Sequence, residues 1–255
     1  MADKFLFLHG WATDALVWDE TAKALEVEYL NPDLPGHGNG LPWDAPTLAP
    51  ALRVIEKSLF ESGDSPVIAV GWSLGAQALL SYACENAGAF KALVLVGATA
   101  RFTAIGDFPH GQPRTLVKRM LMDMKKDPIE TLKRFYALNF TNEKLSTPRA
   151  KAFLERYLHT GSAESNQPVF KYNEIAIALE ALYKGDLRPD LSGLDLPCLI
   201  MHGTLDNVCP IEAGRYLAGH IMGARLVEFD GAGHAPFITQ PERFAGILKG
   251  FARGL

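Results

Sequence analysis

The sequence predicts an α/β fold, a mostly parallel central sheet flanked by helices and interrupted once by a helical insertion. Three observations predict it. Short apolar runs alternate with amphipathic stretches over the first hundred residues, the alternation gives way to a helical pattern from about Arg101 to Lys184, and it resumes from Cys198 onward. At 255 residues and 48% hydrophobic, the chain can bury the core of one α/β domain carrying one insertion. The expected division is a core of residues 1–100 and 186–255 with an inserted helical lid at 101–185.

Taken in order, apolar runs at 5–8, 27–30 and 67–70 are separated by amphipathic stretches at 14–25 and 48–60. This is the punctuation of βαβ units. Residues 74–84 read as a helix and 92–96 as a further β-branched run. Inside the insertion, Asp127-Pro128-Ile129-Glu130 offers an N-cap, a proline at the first helical position and a glutamate at the third. Thr147-Pro148 starts another helix in the same way. Leu116, Val117, Met120, Leu121 and Met124 share one helical face, as do Leu132, Phe135 and Tyr136. Strand and helix then alternate at 198–201, 211–218, 225–229 and 242–251.

Composition excludes several classes. Charged residues at 21% and a mean hydropathy of +0.03 describe a soluble globule, and no apolar run is long enough to span a bilayer. The opening MADKFLFLHG runs from a short apolar stretch into a glycine turn rather than a cleavage site, so a cytoplasmic protein is expected. Cys84, Cys198 and Cys209 have neither zinc nor CxxC spacing, and they read as reduced thiols used as small hydrophobes. No histidine and carboxylate cluster has metal-ligand spacing, and there is no dinucleotide fingerprint or phosphate loop. Neither metal nor cofactor is expected, and no nucleic-acid or membrane partner.

Chemistry is carried by Gly71-Trp72-Ser73-Leu74-Gly75, which matches G-x-S-x-G between a predicted strand and a predicted helix. Glycines two residues either side of the serine permit the sharp turn that exposes its hydroxyl. Ser73 is thus the predicted nucleophile, and it needs a base within reach. His234, in the glycine-rich loop Gly231-Ala232-Gly233-His234, is that base. A carboxylate must fix its tautomer, and Asp206, which also follows a strand, completes the chain order Ser, Asp, His. Asp186, Asp190 and Asp195 compete by order only, and Asp230 more simply ends its own strand. His37, in Asp33-Leu34-Pro35-Gly36-His37-Gly38, fits a turn, and His202 reads as a structural histidine. Oxyanion donors are expected from the backbone N–H of Leu74 and of Trp11, the latter in His9-Gly10-Trp11 after the first strand.

These residues resemble the pimeloyl-[acyl-carrier protein] methyl ester carboxylesterases of biotin synthesis, within the α/β-hydrolase superfamily. The resemblance runs through Leu8-His9-Gly10-Trp11, the serine motif, Arg134-Phe135-Tyr136-Ala137-Leu138, Asp186-Leu187-Arg188, Gly203-Thr204-Leu205-Asp206 and His234-Ala235-Pro236-Phe237-Ile238. It implies a pimeloyl chain borne on an acyl-carrier protein and capped by a methyl ester. It also implies a substrate pocket formed by Trp11, Ser73, Leu74, His234 and the segment Phe135, Tyr136, Ala137, Leu138 and Asn139. The chain departs from the family pattern at Glu130, which interrupts a basic face, and at residues 162–168, which have no obvious counterpart.

Charge distribution fits a carrier-borne substrate. From Arg114 to Arg156 eleven basic residues face five acidic ones, on a chain whose net charge is −4. Such polarity steers an acidic protein toward the insertion, with Lys133, Arg134, Arg149, Lys151 and Arg156 as the expected contacts. Solvated faces of amphipathic helices are the plainer explanation. Three other functions share the scaffold: a general short-chain carboxylesterase, a carbon–carbon bond hydrolase or lyase, and a non-catalytic ligand receptor, which the intact Ser73, Asp206, His234 set argues against. A monomer is the default expectation.

Overall fold

The computed structural model describes residues 3–86, 88–142, 144–158 and 170–255. Six strands form one sheet: β1 (Lys4–Leu8), β2 (Tyr29–Leu30), β3 (Val67–Trp72), β4 (Ala92–Val96), β5 (Cys198–Gly203) and β6 (Arg225–Phe229). Their order across the sheet is β2-β1-β3-β4-β5-β6, and each neighbouring pair is parallel. β3, β4 and β5 are buried along their whole length, which explains why they read as continuous apolar runs rather than alternating ones. The edge strand β2 is only two residues long, shorter than the apolar run at 27–30 predicts, because Glu28 and Tyr29 face solvent at the margin.

Helices α1 (Asp19–Leu25), α2 (Ala49–Ser62) and α3 (Leu74–Glu85) cross between the first strands, and α8 (Ile211–His220), α9 (Pro236–Thr239) and α10 (Pro241–Arg253) follow the last ones. The helices α4 (Arg114–Lys126), α5 (Pro128–Leu138), α6 (Pro148–Leu158) and α7 (Tyr172–Lys184) lie between β4 and β5 in the chain. α5 begins as the sequence predicts: the Asp127 side chain accepts the N–H of Glu130 at 3.0 Å. On α4, Val117 and Met124 are buried while Leu116 is 58% exposed, so the apolar face is narrower than the sequence spacing implies.

One expectation needs correction. Residues 101–113 are not helical but form a tight double-bridged loop, with Thr103 bridged to Gln112 and Ile105 to Phe108. Gly106, Pro109, Gly111 and Pro113 punctuate this stretch, and they remove the helix option. The loop joins the far end of the insertion through ions. Arg101 pairs with Asp186 at 2.7 Å, Asp186 with Arg188 at 2.8 Å, and Arg188 with Asp107 at 3.1 Å. The 162–168 segment lies outside the described residues. Among those described, no helix is long and apolar enough to cross a membrane, and the three cysteines are free.

Candidate active site

β3 ends at Trp72, and the chain turns at once into α3 through Ser73, which has φ 54° and ψ −112°. A non-glycine residue in that region is strained, and it stays there only because its surroundings allow nothing else. Those surroundings are the two motif glycines. A Cβ on Gly71 would lie 2.6 Å from the Ala76 nitrogen, and one on Gly75 would lie 2.5 Å from the Leu8 carbonyl oxygen. The Ser73 N–H is tied to the Val96 carbonyl at the end of β4, 2.9 Å away. Leu74 is the first residue of α3, so its N–H is one of the free donors at a helix N-terminus.

Asp206 and His234 come from the loops after β5 and β6. His234 Nδ1 lies 2.7 Å from Asp206 Oδ2, with both side chains fully buried. An ionised carboxylate only accepts, so the imidazole hydrogen sits on Nδ1 and Nε2 presents a lone pair. Nε2 is buried and has no hydrogen-bond partner. No bond joins it to Ser73 in this structure, and a contact of this kind commonly tightens only with substrate bound. The imidazole is nonetheless closely fenced. A Cβ on Gly97, just past β4, would lie 2.8 Å from Nδ1, and the Trp72 indole donates to the His234 carbonyl at 2.9 Å. The serine and the histidine are thereby held by adjacent residues at the ends of β3 and β4.

Asp206 is more heavily supported than the sequence foretells. Its Oδ1 accepts the N–H groups of Val208 and Cys209, each at 2.8 Å. Its Oδ2 is also 3.3 Å from Nε2 of His202, which itself donates to the Cys209 carbonyl at 2.7 Å. Burial opposes the charge on Asp206, but the two imidazoles outweigh it and hold the carboxyl well below the usual carboxylate range. His202, read from sequence as structural, is thus a direct neighbour of the candidate acid. The spacing of four residues between His202 and Asp206 was the available signal.

Trp11 lies in the loop after β1. Its indole donates to the Ile175 carbonyl on α7 at 2.6 Å, and its ring meets Phe135 edge-on at 4.8 Å between centroids. Among the described residues no hydrogen bond uses the backbone N–H of Trp11 or of Leu74. Phe135 and Leu138 line a cavity of about 220 Å³ together with Leu116, Val117, Met120 and Phe102, and Asn207 and Val208 from the loop after Asp206. Tyr136 and Asn139 turn the other way and are fully buried, and Ala137 is half-buried. The Tyr136 hydroxyl donates to the Ala12 carbonyl, while the Asn139 amide is spent on the carbonyls of Phe135 and Tyr136.

The basic residues of the insertion are distributed unevenly. Lys133 and Lys151 are exposed. Arg134 shares Asp123 with Arg119, at 3.3 and 2.9 Å. Arg149 reaches Glu20 and Glu242 at 3.6 and 3.2 Å, and Arg156 pairs with the buried Asp14 at 2.8 Å.

Comparison with known proteins agrees with this geometry. Residues 5–247 match the family model described as "Alpha/beta hydrolase family". The chain is 30% identical to the pimeloyl-[acyl-carrier protein] methyl ester esterase of Neisseria meningitidis serogroup C, over 99% of this chain and 94% of that one. It is also 30% identical to the protein of the same name from Nitrosomonas europaea, over 95% and 93%. Among solved structures, the esterase EaEST from Exiguobacterium antarcticum superposes with a TM-score of 0.88 at 25% identity, over 99% of this chain and 92% of that one. Identity sustained from end to end, on a fold whose strand ends gather a serine, a histidine and an aspartate, makes this chain a member of the alpha/beta hydrolase family and, within it, of the pimeloyl-[acyl-carrier protein] methyl ester esterases.

Proposed function

We propose that the chain is a carboxylesterase that removes the methyl group from pimeloyl-[acyl-carrier protein] methyl ester in biotin synthesis. The single observation that carries the chemistry is the buried 2.7 Å contact between His234 Nδ1 and Asp206, which leaves the other ring nitrogen free to act as base. Ser73 attacks the ester carbonyl while His234 Nε2 takes its proton. The oxyanion draws on the N–H groups of Trp11 and Leu74. The imidazolium returns its proton to the departing methoxide, methanol leaves, and a water activated by His234 then frees the acid and Ser73.

Residues 101–185 serve in this reading as a lid over the site, closed at its base by Arg101 and Asp186. The cavity lined by Phe135 and Leu138 is the proposed berth for the acyl chain, since its walls are mainly apolar. Lys133, Arg134, Arg149, Lys151 and Arg156 present positive charge to an acidic carrier protein, with Lys133 and Lys151 the freest. The protein works as a cytoplasmic monomer without metal or cofactor.

Two measurements test the proposal. Ser73→Ala should abolish both p-nitrophenyl ester hydrolysis and labelling by a fluorophosphonate, and retained activity would remove Ser73 from the mechanism. Expression of the chain should restore growth without biotin to a bacterial strain lacking its methyl esterase. Ester hydrolysis without such rescue would point to the general short-chain esterase instead.

A further inference from the structure

Ala12 follows the proposed oxyanion donor Trp11 directly, and its φ of 56° is left-handed. An L-residue is strained in that conformation, and it persists only where neighbours enforce it. Here both polar groups of Ala12 are held. Its N–H donates to His37 Nε2 at 3.0 Å, and its carbonyl accepts from the Tyr136 hydroxyl. His37 is set up for this. Its Nδ1 lies 2.7 Å from the Pro35 carbonyl, which can only accept, so the hydrogen is on Nδ1 and Nε2 is the acceptor that Ala12 needs. Full burial keeps the ring neutral, with its pKa lowered to about 3.

The peptide before Trp11, which carries the proposed donor N–H, is fixed as well. The Gly10 carbonyl accepts from the Thr13 hydroxyl at 2.9 Å. In a trans peptide the N–H of Trp11 points opposite to that carbonyl, so anchoring one aims the other. Tyr136 sits among the rings of Phe135, Phe153 and Tyr157, where a phenylalanine would pack equally well. The hydroxyl is what the packing does not explain, and its hydrogen bond ends on Ala12.

We propose that Tyr136 is a positioning residue for ester hydrolysis: from the inserted helix α5 its hydroxyl holds Ala12 in the turn that aims the Trp11 N–H at the oxyanion. The inserted helices thereby help to build the catalytic centre as well as to cover it. This rests on the assignment of Trp11 as a donor.

The test is Tyr136→Phe, measured on a p-nitrophenyl ester with rates expressed per site titrated by a fluorophosphonate. Expected is a fall in kcat of roughly tenfold, a part of the ~10²–10³ that losing one donor costs, with KM within about twofold. Affinity for a trifluoromethyl ketone, whose adduct carries the oxyanion, should fall by the same factor as kcat/KM. Adding Ala12→Gly to Tyr136→Phe should recover part of kcat, because glycine adopts positive φ without strain. A folded Tyr136→Phe with unchanged kcat and unchanged ketone affinity overturns the proposal, and so does a loss of kcat that Ala12→Gly leaves unimproved. If Tyr136→Phe does not fold, His37→Asn takes its place, since it frees the other side of Ala12. The same selective loss of kcat is expected, and unchanged kcat again overturns the proposal. Hydrolysis by Ser73→Ala would instead defeat the underlying reading, whatever Tyr136 does.

Discussion

Gly75 is a residue at which the site tolerates little change. A methyl group there would meet the carbonyl oxygens of Leu8 and His9 at 2.5 and 2.6 Å, and both are backbone atoms of β1 and its loop that cannot swing aside. Gly75→Ala should therefore destabilise the fold by at least ~2 kcal/mol, read as a lower urea midpoint with little change in m-value. An unchanged midpoint would show that β1 can give way. The proposed nucleophile, acid and base, Ser73, Asp206 and His234, are marked in the sequence because strand ends and glycine turns leave a local signature. Trp72 and Tyr136 are not, and His202 leaves only its four-residue spacing from Asp206. Their parts depend on contacts to His234, Asp206 and Ala12 that span four to 162 positions in the chain, and nothing in a tryptophan or tyrosine codon distinguishes a donor from a plain core ring. Asn139 and Tyr136 show the converse. A family segment read as pocket lining divides by helical phase, so that Phe135 and Leu138 meet the cavity and Tyr136, Ala137 and Asn139 do not.

The inserted helices are held to the sheet at a junction whose charge makes it sensitive to acid. Asp186 is flanked by Arg188 and Arg101, and hydrogen bonds from Arg188, ahead of those from Arg101, lower its pKa to about 2. A carboxyl whose folded pKa is depressed contributes stability above its unfolded pKa of about 3.9. That contribution fades as pH falls toward the folded value. Asp186→Asn should lower Tm at pH 7, and the difference from the parent should shrink between about pH 4 and pH 2. A constant difference across that range would mean that packing rather than charge is at stake. Helix starts here followed readable rules: Asp127-Pro128 and Thr147-Pro148 mark α5 and α6 where the sequence puts them. The stretch before α4 escaped because its isolated bridges join residues three and nine positions apart, a pattern with neither helical nor strand period.

Across the whole molecule, positive charge gathers on the inserted helices while the chain as a whole is negative. Reversing two of the exposed lysines, Lys133→Glu with Lys151→Glu, should lower kcat/KM for a carrier-linked ester several-fold at low salt and leave a free p-nitrophenyl ester within about twofold. Equal losses on both substrates would reject steering. The sheet itself has a further consequence for how copies of this protein meet. One margin is β2, two residues long, and the other is β6, where Arg225 is exposed and Arg215 clasps Glu228 at 2.8 Å. Arg243 also donates to the Glu228 main-chain carbonyl at 3.0 Å. Neither margin offers the long, flat, unpaired ribbon that strand-by-strand growth requires. Among the described residues both sheet margins are closed to edge-to-edge growth, which turns recognition of another protein toward the helical faces.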